Sequence, residues 1–100
     1  MPEIFTVLAL STAHVTAEVG TKLDELFDEG VRDVDHWSYW IVGARWGDYG
    51  WWIWTGQEDG FNDLPKCLQD CINFARHEHC RYIQFDCDVS PIDQLPTYEW

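Results

Sequence analysis

The sequence predicts an α+β fold: a ferredoxin-like β-α-β-β-α-β order in which two helices cover one face of a four-stranded antiparallel sheet, with another small α+β sheet as the alternative. Three observations predict it. Apolar runs of strand length occur four times, two segments carry apolar residues at helical spacing, and the two kinds follow one another in that order. The chain has 100 residues, 46% of them hydrophobic, which is material for one core and one domain spanning residues 1–100.

The first strand is read at Glu3 to Leu10, where Ile, Phe, Val and Leu follow one another with almost no polar interruption. Such a run suits a central strand covered on both faces. Thr16 then stands where an N-cap belongs, ahead of Val19, Leu23, Leu26 and Phe27 at helical spacing, and Gly30 supplies the stop. Gly20 inside this helix costs up to about 1 kcal/mol relative to Ala, which predicts irregular first turns. From His36 to Val42, Trp37, Tyr39 and Ile41 alternate with Ser38, Trp40 and Val42, the period of a second strand. Gly47-Asp48-Tyr49-Gly50 has turn chemistry, and Trp51 to Thr55 reads as the returning arm of a hairpin. After a polar loop from Gly56 to Asn62, Pro65 suits the first turn of a second helix with a buried stripe of Leu68, Cys71, Ile72 and Ala75, ending near His79. Arg81 to Asp86 forms the fourth strand through Tyr82, Ile83 and Phe85. The remainder, Cys87 to Trp100, is punctuated by Pro91 and Pro96 and reads as irregular; in the alternative fold this aromatic tail adds an edge strand or covers the open face.

Charge excludes several functions. Eighteen Asp and Glu stand against six Lys and Arg, a formal charge of -12, which repels nucleic-acid phosphates and anionic membrane surfaces. Neither is expected as a direct partner. The apolar opening is short, follows Glu3 and lacks a cleavage site, and no stretch reaches the roughly 18 apolar residues that span a bilayer. A cytoplasmic protein is expected, with Cys67, Cys71, Cys80 and Cys87 as thiols.

Three groups invite a chemical reading, and each has a plainer one. Cys67 and Cys71, four apart on the second helix with His79 or Cys80 at its end, offer zinc donors, but the spacing matches no ribbon or finger and Cys71 lies on the buried stripe. Asp86 and Asp88 close the fourth strand, where carboxylates hold magnesium or do acid–base work, yet no phosphate-cradling glycine loop or Lys accompanies them. His14 beside Ser11, Thr12 and Thr16 has the parts of a nucleophile and base, though such residues more often cap a helix and close a turn. The expectation is no enzyme, no cofactor and no metal, with a small metal-dependent enzyme using Asp86 and Asp88 as an alternative.

Trp37, Trp40, Trp46, Trp51, Trp52 and Trp54 crowd the middle of the chain. Base-stacking platforms work beside cations, and Arg45 is the one cation between residues 33 and 65, so a core and interface role is favoured. Trp51 and Trp52, adjacent in a strand, must point to opposite faces. One of those faces is an interface candidate.

The acidic residues are the remaining signal. Asp24 and Asp28, and Glu25 and Glu29, are like-charge pairs at i, i+4 on the first helix, with Glu18 before them and Asp33 and Asp35 after. Each such pair costs a few tenths of a kcal/mol, roughly 0.2–0.5, and folding alone gives no reason for it. Glu58, Asp59 and Asp63 form a second group. Carboxylates spaced about 6 Å apart on a helix approach the spacing of phosphates along a strand and would draw a cationic groove into fast, salt-sensitive encounter.

Leu8-Ala9-Leu10-Ser11-Thr12-Ala13-His14-Val15-Thr16 near the start, Cys80 to Asp88, and Leu95-Pro96-Thr97-Tyr98-Glu99-Trp100 at the end resemble a family of short acidic bacterial proteins carried on chromosomes, plasmids and phages. That family has no assigned activity, so the resemblance implies no catalytic residue. Its mobile-element setting, with small size and acidity, is similar in class to anti-CRISPR and antirestriction proteins that copy DNA charge. The resulting expectation is a phage or mobile-element inhibitor that occupies the basic DNA-binding groove of a bacterial defence complex, a type I CRISPR surveillance complex first. Its contacts would be Glu18, Asp24, Glu25, Asp28, Glu29, Asp33 and Asp35, with Glu58, Asp59 and Asp63 as a second patch. The alternative is an antirestriction or regulatory protein-interaction module.

Overall fold

A computed structural model describes residues 2–28, 30 and 34–100 of the chain, and its two helices begin where their open amides find acceptors. Helix α1 (Ala17–Asp28) starts behind Thr16, whose Oγ1 accepts the Val19 N–H at 3.2 Å while its carbonyl accepts the Gly20 N–H at 2.9 Å, the N-cap expected. Helix α2 (Lys66–His77) starts behind Pro65, whose carbonyl takes the Leu68 and Gln69 amides. Strands β1 (Val7–Ser11), β2 (Gly43–Trp46), β3 (Gly50–Trp54) and β4 (Tyr82–Asp86) complete the order β-α-β-β-α-β. No helix among the described residues is long and apolar enough to cross a membrane.

The small α+β class holds, but the ferredoxin-like antiparallel sheet does not. The strands lie in the order β1-β4-β3-β2; β2 and β3 form the hairpin, β3 and β4 are antiparallel, and β1 runs parallel to β4 at the edge. Side-chain periodicity specifies which residues share a face and carries no information on strand direction or neighbour. The same degeneracy explains why Glu3 to Leu10 read as a doubly covered centre. Leu8 and Leu10 pair with Ile83 and Phe85 on the covered face, whereas Val7 and Ala9 pair with Tyr82 and Gln84 on a face that no helix covers.

The second strand also moves. Ser38–Trp40 is a single 3-10 turn and pairing starts at Gly43. Ser38 is buried, its Oγ donating to the Asp35 carbonyl at 2.7 Å and accepting the Asp35 N–H at 3.2 Å, so the side chain closes a local turn that competes with a strand. Trp37 and Ile41 both enter the core across that turn.

The covered face carries Leu8, Leu10, Trp51, Ile53, Ile83 and Phe85, packed against Val19, Leu23 and Leu26 of α1 and Leu68, Cys71, Ile72 and Ala75 of α2. The tail lies on the helical side and makes no strand. His14, 1% exposed, holds it: Nδ1 bonds the Pro96 carbonyl at 2.8 Å and Nε2 accepts the Ile92 N–H at 3.0 Å. The Tyr98 N–H reaches the Ala13 carbonyl, and Trp100 Nε1 donates to the Val15 carbonyl at 2.8 Å. Gly20 is explained by the same tail, because a Cβ there would collide with the Trp100 ring.

Candidate interaction surface

Among the described residues the four-stranded sheet is covered on one side only, and its other side is aromatic. Cross-strand register puts Trp46 of β2, Trp52 and Trp54 of β3, and Tyr82 of β4 on the open face, with Val7 and Ala9 of β1 beyond them. Ring centroids run from Trp46 to Trp52 at 5.9 Å, from Trp52 to Tyr82 at 6.2 Å and from Tyr82 to Phe5 at 6.1 Å, a continuous ribbon across the sheet. Phe5 is 42% exposed, Val42 53% and Trp46 37%. The expectation that Trp51 and Trp52 separate is met: Trp51 is buried, and Trp52 stands on the open side. A contiguous apolar patch of this kind marks an interaction site more often than bare surface.

Carboxylates flank the ribbon at both ends of β3. At the Gly50 end, Asp86 accepts Trp46 Nε1 at 3.4 Å and the Asp88 N–H at 2.8 Å. The ligand atoms of Asp86, Cys87 and Asp88 lie within 4.8 Å of one another, but this geometry is that of an Asp-closed turn whose carboxylate is already used by Trp46 and the backbone. At the Trp54 end, Glu58 and Asp59 are exposed and border a cleft of about 390 Å³ walled by Tyr39, Trp40, Val42 and Trp54. Tyr39 and Trp40 meet edge to face at 5.4 Å. Gln57 lines the same cleft at 6% exposure, and neither its Oε1 nor its Nε2 has a hydrogen-bond partner among the described residues. An unmet buried amide of this kind costs about 1–3 kcal/mol.

The first-helix carboxylates are arranged otherwise than a free anionic stripe. Arg45 of β2 bonds Asp24 and also reaches Asp28 at 3.3 Å, and the Trp51 indole donates to Asp24 at 2.8 Å. Lys22 bonds Asp35 and reaches Glu18 at 3.3 Å. The Lys22 ammonium, then the His36 backbone amide and ring, hold the Asp35 carboxyl well below the usual carboxylate range. Glu25 is exposed and has no ion pair among the described residues, and Glu29 and Asp33 lie outside them. Asp63 is exposed at the 3-10 turn Phe61–Asp63, before α2. Arg45 is distant along the chain from the carboxylates it neutralises; its signal in the sequence is being the lone cation among the central tryptophans.

The remaining chemical candidates make structural contacts. Both His14 nitrogens are engaged by the tail, and Ser11 Oγ accepts the Ala13 N–H. Cys67 and Cys71 are buried, and burial pushes both thiols up from their ordinary pKa, away from the thiolate that zinc requires. His79 is exposed at the end of α2, and the cysteines do not converge on it among the described residues. Arg76 anchors the loop after β3, its Nε donating to the Thr55 carbonyl at 2.7 Å and its Nη2 to the Gln57 carbonyl, with the Phe61 ring 4.8 Å away.

No curated protein and no solved structure matches the chain. The family model described as the C-terminal domain of a family of unknown function, DUF5983, matches residues 7–100. That match runs from the first residue of β1 through the tail clamped by His14, so it takes in every strand and helix of the fold, and the chain belongs to the DUF5983 family.

Proposed function

We propose that this domain is a protein-interaction module that docks on a cationic partner surface. The open aromatic sheet face makes the contact, and the carboxylates at its two ends steer and orient the partner. The observation that carries this reading is the ribbon of Trp46, Trp52, Tyr82 and Phe5 on a sheet face that no helix covers among the described residues. In its most specific form the partner is the DNA-binding groove of a bacterial defence complex, a type I CRISPR surveillance complex first, and the domain inhibits it. The net charge of -12 supports that form, as does the similarity of both chain ends to proteins borne by mobile elements. Relative to the expectation from sequence, the weight moves from α1 to the sheet. Asp24, Asp28, Glu18 and Asp35 are tied to Arg45 and Lys22, whereas Glu58, Asp59 and Asp88 have no ion pair among the described residues.

The test is quantitative capture from a bacterial lysate on immobilised domain, beside a Trp46→Ala/Trp52→Ala variant shown to be folded by circular dichroism. The expected result is a small set of basic proteins, retained at low salt, released as salt rises, and lost with the double variant. For the specific form, the domain should lower DNA binding by a purified type I complex in a mobility-shift assay. Capture that ignores both salt and the two tryptophans would overturn the general reading; unchanged DNA binding would overturn the specific one.

A further inference from the structure

The cleft at the Trp54 end of β3 combines three features that do not come together by packing alone. Its walls are aromatic, with Trp40, Trp54 and Tyr39. Its rim is anionic, with Glu58 and Asp59, and among the described residues no Lys, Arg or His lines it. Gln57 also lines it, more than nine-tenths buried, with an acceptor and a donor that no described residue satisfies. The surroundings hold this arrangement firm. Gly60, at φ +72°, brings its backbone so close to the Trp40 ring that a side chain there would collide with the indole, and Arg76 fixes the Thr55 and Gln57 carbonyls from behind.

We infer that this cleft is a seat for an arginine side chain presented by a protein partner. A cation is selected by indole faces together with two carboxylates, and the same charges turn away a phosphate-bearing nucleotide. Among cations, a guanidinium fits best, because it is planar, stacks on indole, and offers a fork of donors to Gln57 Oε1 and the rim carboxylates. A quaternary ammonium has no donor and leaves Oε1 unmet. An ammonium is a strongly hydrated point charge that gives up more on entering an aromatic cleft. The Gln57 Nε2 donor calls for an acceptor as well, which the backbone carbonyl of the same partner segment supplies, so free guanidinium should bind less well than a peptide. A cleft of about 390 Å³ lies at the small end of ligand pockets and suits one side chain, not a folded element. This inference rests on the proposed function only for the occupant's being part of a protein.

The probe is the capped tripeptide Gly-Arg-Gly, with the citrulline and lysine versions as controls, titrated into the isotope-labelled domain and followed by NMR. The expected result is saturable, millimolar shifts of the Trp40 and Trp54 indole N–H and the Gln57 side-chain NH2 signals. Citrulline, nearly isosteric but uncharged, should bind about ten-fold or more weakly, and lysine should fall between. Gln57→Met keeps the volume and removes the amide; it should weaken arginine binding about ten-fold while the spectrum stays dispersed. If that variant does not fold, Glu58→Gln with Asp59→Asn, both exposed, provides the same comparison. Equal response to arginine and citrulline, no saturable shift, shifts centred on Trp46 and Asp88, or preference for a mononucleotide would each overturn the inference. Loss of lysate capture by Trp46→Ala/Trp52→Ala, with a silent cleft in the titration, would mean that the arginine seat fails and the interaction surface stands.

Discussion

At the scale of single residues, Gly20 shows how a locally unfavourable choice is set by a contact from the far end of the chain. Ala at an interior helix position is favoured over Gly by about 1 kcal/mol. Here a Cβ would take the place of the Trp100 ring, whose Nε1 donates to Val15 and which stacks on Trp51 at 6.5 Å. Gly20→Ala is therefore expected to be neutral or destabilising in the natural chain and stabilising by up to about 1 kcal/mol in a Trp100→Ala background, a coupling of about 1 kcal/mol. Urea unfolding of the four proteins measures it, and equal effects in both backgrounds would remove the tail contact as the explanation. The cysteines make a second residue-scale case. Cys67, Cys71 and Cys80 are buried, burial holds the first two as thiols, and Cys87 is exposed in the turn after β4. Iodoacetamide should modify one thiol rapidly in the native protein, Cys87 by peptide mapping, and the other three only after denaturant is added. Rapid native labelling of Cys71 would contradict the packing of α2.

At the scale of elements, the legible parts of the fold were those decided within about a dozen residues. The Thr16 cap, the α2 stripe of Leu68, Cys71, Ile72 and Ala75, and the hairpin turned at Gly47 to Tyr49 all depend on local spacing or turn chemistry, and all are present. What could not be read depends on partners remote in sequence: the parallel pairing of β1 with β4, the Arg45 clamp on Asp24 and Asp28, and the tail held by His14. The Ser38 turn is an intermediate case, a strand-like alternation overridden by one hydroxyl and by Asp35, which Lys22 of α1 holds from the side. Because Asp35 titrates lower folded than unfolded, its contribution is fully present above the ordinary carboxylate pKa near 3.9 and is lost as pH falls below it toward the folded value. Asp35→Asn should lower stability at pH 7 and flatten the acid limb of a stability–pH curve below about pH 4. An acid limb parallel to that of the natural chain would show that the Lys22 contact does not form in solution.

At the scale of the whole molecule, the decisive quantity is where unneutralised charge lies relative to the apolar face. The five residues of β3 separate the Asp88 end from the Glu58 and Asp59 end by about 13 Å at ~3.3 Å per residue, beyond the Debye length of about 8 Å at physiological ionic strength. The two ends therefore act on an approaching partner as separate patches. Reversing charge on α1 tests little, since loss of Asp24 or Asp28 removes a partner of Arg45 and disturbs folding as well as binding. Neutralising the sheet ends avoids that confusion. Glu58→Gln/Asp59→Asn and Asp88→Asn should each lower the association rate with the captured partner, multiply when combined, and reduce the salt dependence, with unfolding free energy changed by no more than about 0.5 kcal/mol. Trp52→Ala, which removes contact area and no charge, should instead raise the dissociation rate and leave association nearly constant. Surface plasmon resonance at two ionic strengths separates these effects. If the carboxylate variants changed dissociation alone, or the tryptophan variant slowed association, steering and contact would not be divided between rim and ribbon, and the aromatic face would lose its place as the docking surface.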